Sequence, residues 1–132
     1  TEMSTGSVLA YEHEDGEIYG TYVRFDGYPS YAIPAIQSRI DQEGIDGVKA
    51  WIDKGVEGGG FSSYDCETTY EDRPYKCQAG VHEQEYGYLL TEDGVRLWAG
   101  YNIYDGKLCD LTDDLKYIID NGLVEEYLPC ID

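Results

Sequence analysis

The stretch Ser7–Phe25, SVLAYEHEDGEIYGTYVRF, decides how this chain is read. Two runs rich in Tyr, Val and Ile, Ser7 to Glu12 and Glu17 to Phe25, flank Glu14-Asp15-Gly16. An Asp-Gly pair between such runs is the strongest short hairpin signal, because the glycine takes the positive φ that a tight turn requires. In the second run Ile18, Gly20, Tyr22 and Arg24 alternate with Tyr19, Thr21, Val23 and Phe25. Side chains alternate across a strand, so one better-buried face is expected to carry Tyr19, Val23 and Phe25.

Downstream, Asp26-Gly27-Tyr28-Pro29 breaks the strand and Ser30 is expected to cap a helix. Ile33, Ile36 and Ile40 form one helical stripe, with Pro34 tolerable in the first turn. Ile45, Val48, Trp51 and Ile52 form the stripe of a second short helix closed by Gly55. Between Val56 and Glu83 periodicity fades, and Tyr64 to Cys77 reads as an edge strand with a long loop. Tyr86 to Leu90 and Val95 to Ala99 flank Glu92-Asp93-Gly94, a second hairpin, and Tyr101 to Tyr104 adds a strand. Thr112 opens a last helix with the buried stripe Leu115, Ile118 and Ile119, stopped at Asn121-Gly122. The expected fold is α+β: an antiparallel sheet from two hairpins with two or three short helices packed on it.

The rest of the composition fits one domain. Thr1 and Glu2 read as a remnant ahead of a native start at Met3, and residues 3–132 as a single α+β unit. The 27 acidic residues against nine basic ones give a net charge of −18. Acidic disordered chains are poor in aromatics, whereas this one has 14 tyrosines, two tryptophans and two phenylalanines, so it is expected to fold. Nucleic acid and anionic lipid both demand a basic footprint, so neither is an expected direct partner. No apolar run approaches the ~20 residues needed to cross a bilayer, and no basic-then-apolar leader opens the chain.

The catalytic signatures are missing. Gly58-Gly59-Gly60 lacks the Gly-Lys-Ser/Thr ending of a phosphate loop, and no Gly-x-Ser-x-Gly elbow occurs. His13 and His82 have no positioned partner at a recognisable spacing and read as surface histidines. Cys66, Cys77, Cys109 and Cys130 include no Cys-x-x-Cys pair, so no metal and no cofactor is expected. Reduced thiols fit a cytoplasm, with one Cys66–Cys77 bridge across a loop as the alternative.

Carboxylates remain. Glu12, Glu14, Asp15 and Glu17 ring the first turn, and Asp65, Glu67, Glu71 and Asp72 populate the irregular loop. Asp110, Asp113, Asp114, Glu125, Glu126 and Asp132 continue the trend. A solubilising surface is the plain reading. The sharper one is an array that imitates the phosphates of nucleic acid and occupies the basic groove of a partner protein. Tyr64, Tyr70 and Tyr75, interleaved with the second group, suit a protein interface. The alternative is a small enzyme or ligand-binding domain built on Arg24, Asp26 and Tyr28 together with the glycine loop.

Met3-Ser4-Thr5, Asp15-Gly16, Phe25-Asp26-Gly27-Tyr28-Pro29, Ile52-Asp53-Lys54-Gly55 and Glu85-Tyr86-Gly87-Tyr88-Leu89 are motifs spread over residues 3–100. Together they resemble those of a family of small bacteriophage and prophage proteins without an assigned function. The chain departs from the pattern at Arg24 and Phe25, where many relatives have His and Trp. The resemblance implies a phage origin and action in the cytoplasm of a bacterial host, and brings no catalytic residue. The function expected is that of an accessory protein that binds and inhibits a basic host protein: a defence nuclease, RNA polymerase or nucleoid protein.

Overall fold

The first hairpin forms where the sequence places it. Strands β1 (Ser7–Glu12) and β2 (Ile18–Val23) pair antiparallel from Ser7↔Val23 to Glu12↔Ile18. In the turn the Gly16 amide donates to the His13 carbonyl at 2.9 Å, and the His13 amide donates to the Glu17 carbonyl at 2.8 Å. The Asp15 carboxylate accepts from the Glu17 amide at 2.9 Å, the local side-chain bond that favours Asp in turns. The computed structural model describes residues 5–69, 73–78, 85–100, 103–104, 106–108, 115–124 and 126–127.

Past β2 the chain enters helix α1 (Pro29–Glu57). Ser30 is not its cap. Proline's fixed φ suits the first helical position and pushes the preceding residue into extended backbone, so Tyr28 (ψ 149°) is the boundary. Pro34 accordingly lies inside the helix rather than at its mouth. The two expected short helices are one helical run kinked at Gly44, whose φ of 78° and ψ of 171° are open to glycine and strained for other residues. The kink keeps both stripes on the sheet: Ile33 and Ile36 before it, Val48, Trp51 and Ile52 after it, all buried.

Gly55 does not end the helix, which runs on to a Gly58 cap. It marks the closest approach of α1 to the sheet, since a Cβ there would lie 2.2 Å from Thr21 Oγ1 and 2.5 Å from the Phe61 ring.

The remaining strands are β3 (Phe61–Ser63), β4 (Cys66–Thr69), β5 (Cys77–Gln78), β6 (Tyr86–Thr91), β7 (Gly94–Gly100), β8 (Ile103–Tyr104), β9 (Lys107–Leu108) and β10 (Glu126–Tyr127). A short helix α2 (Leu115–Asp120) precedes β10. The order across the sheet is β10-β9-β8-β7-β6-β1-β2-β3-β4, with β5 also pairing β2.

The fold is α+β, but the sheet is mixed rather than antiparallel. The two hairpins, β1–β2 and β6–β7, are antiparallel, whereas β1–β6, β2–β3 and β9–β10 are parallel. The cause is connectivity. Parallel neighbours need a long crossover, and α1 supplies one between β2 and β3. Strand β6, which follows β5 in the chain, lies beside β1 in the same direction.

One face of the sheet packs on α1 through Leu9, Val23, Phe61, Tyr88, Leu90 and Leu97. Val8, Ala10 and Cys77, with Ile18 and Tyr22 against them, form a smaller apolar cluster on the other face. Burying a side chain of Leu or Phe size contributes about 1.5–3 kcal/mol, so the α1 face carries most of the stabilisation.

Candidate functional site

The β1–β6 pairing runs from Ser7↔Tyr86 to Tyr11↔Leu90, so both strands finish at one end of the sheet. Each strand then turns through the same tripeptide, Glu14-Asp15-Gly16 after β1 and Glu92-Asp93-Gly94 after β6. Parallel pairing therefore sets two acidic turns side by side. Glu12, Glu14, Asp15, Glu17, Glu92 and Asp93 are all exposed there.

Between the turns and the second half of α1 lies an open groove. One part, ≈ 510 Å³, is lined by Tyr11, Glu12, His13, Glu14, Asp15 and Lys49. An adjoining part, ≈ 240 Å³, shares Tyr11, Glu12 and Lys49 and reaches Leu90, Thr91 and Glu92.

Two residues of the groove's lining, Tyr11 and His13, belong to a column of stacked rings. Tyr11 and His13 stack with centroids 4.0 Å apart, and His13 and Tyr19 stack at 3.7 Å with planes 3° apart. The residues sit close because Tyr11 and Tyr19 are directly opposed across the hairpin. His13 Nε2 lies 3.1 Å from the Tyr19 carbonyl. A carbonyl can only accept, so Nε2 carries the proton in this contact. His13 is therefore half-buried and held, not the loose surface histidine expected from the sequence.

Cations close both ends of the column. Lys49 Nζ sits 5.3 Å from the Tyr11 centroid and 3.9 Å from Glu92 Oε1. Lys76 Nζ sits 4.3 Å from the Tyr19 centroid and 3.8 Å from Glu17 Oε2. The Tyr11 phenol donates to Asp53 Oδ1 on α1 at 2.8 Å. Burial first, and then that bond, hold its pKa well above the usual phenol value. Tyr11 thus keeps its proton and fastens the helix to the end of β1.

The described part of the second expected group does not join this end. Asp65 is exposed in the β3–β4 turn, where it accepts a hydrogen bond from Tyr31. Because β3 runs parallel to β2, that turn lies at the opposite end of the sheet from the first hairpin turn. Glu67 lies in β4, while Tyr70, Glu71 and Asp72 fall outside the described residues, as do His82, Asp110, Asp113, Asp114, Glu125 and Asp132.

Tyr64 is a core residue, 1% exposed, sharing a 2.7 Å hydrogen bond with Ser7 Oγ and stacking near Trp51 at 6.0 Å. Tyr75 is exposed and meets Tyr22 edge-on. Cys66 and Cys77 are thiols, not joined to each other, and Cys109 and Cys130 lie outside the described residues.

The Arg24–Tyr28 corner also sits at the far end of β2 from the groove. It is built as a structural bend. Asp26 takes a φ of 60°, the Gly27 carbonyl accepts from the buried Tyr88 phenol at 2.6 Å, and Gly27 has no room for a side chain against Ser7. The Arg24 guanidinium lies over the Phe25 ring at 5.2 Å, and Tyr28 packs against the core beneath α1.

Among the described residues no three His, Cys, Asp or Glu side chains are grouped to hold a metal ion, and no helix is long and apolar enough to cross a membrane. No protein family, curated protein or solved structure matches this chain.

Proposed function

We propose that the protein works by binding a basic host protein through the acidic end of its sheet, as a phage-encoded accessory protein acting in the bacterial cytoplasm. One observation carries this reading: the β1–β6 pairing collects the carboxylates of two Glu-Asp-Gly turns around one groove. Carboxylates close together on a rigid sheet end raise the local negative potential more than the same charges scattered on a surface. A protein groove evolved for phosphates offers the complementary cations, so a nuclease, RNA polymerase or nucleoid protein is the class of target, blocked by imitation of nucleic acid. Aromatic rings among the charges supply the apolar contact that fixes an interface.

Retention of partners from a bacterial lysate tests the proposal. A basic protein should be held at low salt and released at high salt, because exposed charges are screened beyond about 8 Å at physiological ionic strength. Reversing Glu14 and Glu92 together to Lys should abolish retention, while Asp65→Lys at the opposite end should leave it largely intact. Retention that ignores salt and both variants would refute the reading.

A further inference from the structure

We propose that Lys49 is an internal occupant of the binding groove, and that an arginine of the partner protein displaces it from Tyr11 and Glu92. The inference rests on the reading of this sheet end as the binding surface. Its basis is a motif that occurs twice. A phenol face and a carboxylate together hold an ammonium at Tyr11 and Glu92, and again at Tyr19 and Glu17. The chain itself thus demonstrates what chemistry the site recognises: a cation that lies on a ring and reaches an acid.

The two copies differ in how firmly they are filled. Lys49 stands 5.3 Å from its ring and 3.9 Å from its acid, against 4.3 Å and 3.8 Å for Lys76. Lys49 also lines both parts of the groove, so an incoming side chain meets it directly. Its acid, Glu92, has a side chain 86% exposed, so the ion pair is weak and readily exchanged.

Arginine is the better ligand for such a place. Its planar, weakly hydrated guanidinium stacks on aromatic faces and bonds a carboxylate through two donors, which a lysine ammonium does not. Glu12, Glu14 and Asp15 around the same groove supply the further negative charge that draws an arginine-bearing segment in. Lys49 then serves as a counterion that steadies the acidic groove until the partner arrives.

The test uses a fluorescent oligoarginine peptide at low salt against the full chain, Lys49→Ala and Lys107→Ala. Both substitutions remove one positive charge, but Lys107 lies in β9, four strands away from β1 in the sheet order. Lys49→Ala should bind about fivefold more tightly than Lys107→Ala, the change that release of a weak exposed pair allows. Lys49→Met, which keeps the stem over Tyr11, should behave likewise, and far-ultraviolet circular dichroism establishes that each variant is folded. Equal tightening in the Lys49 and Lys107 variants would reduce the effect to net charge and overturn this inference, leaving the acidic-surface reading in place. Absence of peptide binding by every form would overturn both.

Discussion

Tyr64 and Ser7 share a hydrogen bond in a place where water cannot replace either partner, so the pair is worth more than its length suggests. Tyr64→Phe should cost about 1–2 kcal/mol, because the Ser7 hydroxyl is left buried without its partner. Gly55 belongs to the same scale. With Thr21 Oγ1 and the Phe61 ring within 2.5 Å of any added Cβ, Gly55→Ala must push α1 off the sheet. A loss of about 1–3 kcal/mol is expected, read as a lowered midpoint in urea at unchanged slope. Neither effect can be seen in the chain alone. Tyr64 stands in a polar, irregular stretch, and Gly55 at a place where glycine ordinarily ends a helix.

At the scale of elements, α1 is pinned at both of its halves by a tyrosine–aspartate pair: Tyr31 to Asp65 before the kink, Tyr11 to Asp53 after it. The hydrogen bond to Asp65, with smaller help from burial, pushes the Tyr31 phenol up to about 12. A phenol whose folded pKa is raised binds its proton more tightly in the folded state, so the stability it lends is complete below the unfolded value of 10.0. That stability should be lost as pH climbs from there to about 12. Asp65→Asn should bring the phenol titration back toward its ordinary value, which ultraviolet absorbance of phenolate would register. The kink makes a second prediction: Gly44→Ala should cost about 1–3 kcal/mol, since a φ of 78° with a ψ of 171° strains any side-chain-bearing residue. Both helical stripes are legible in the spacing of Ile33, Ile36, Val48, Trp51 and Ile52. That they belong to one kinked run is not, because a glycine between two stripes looks the same whether it ends a helix or bends one.

Taken whole, the molecule is a mixed sheet with two acidic turns gathered at one end, and its behaviour toward basic partners should follow that geometry rather than net charge. Moving charge at Glu14, Glu92 or Lys49 should alter binding more than the same change at Asp65 or Lys107, measured at equal ionic strength. For a charge that is only a solvated coat, position should not matter. Local sequence accounts for several features: the two hairpins, their Glu-Asp-Gly turns, the two stripes of α1, the acidic surplus and the lack of a basic footprint. All are local or additive properties, set by turn chemistry, side-chain period and composition within a few residues. Local sequence misplaces Ile119, expected in a buried stripe and exposed on α2. Only the tertiary structure decides that β1 and β6 run side by side in the same direction, that Tyr64 is core, and that Asp65 lies at the far end. It also brings Lys49 and Asp53 from α1 to the first hairpin. Those are contacts between residues tens of positions apart, and they follow from the direction in which a crossover returns the chain, which no local pattern encodes.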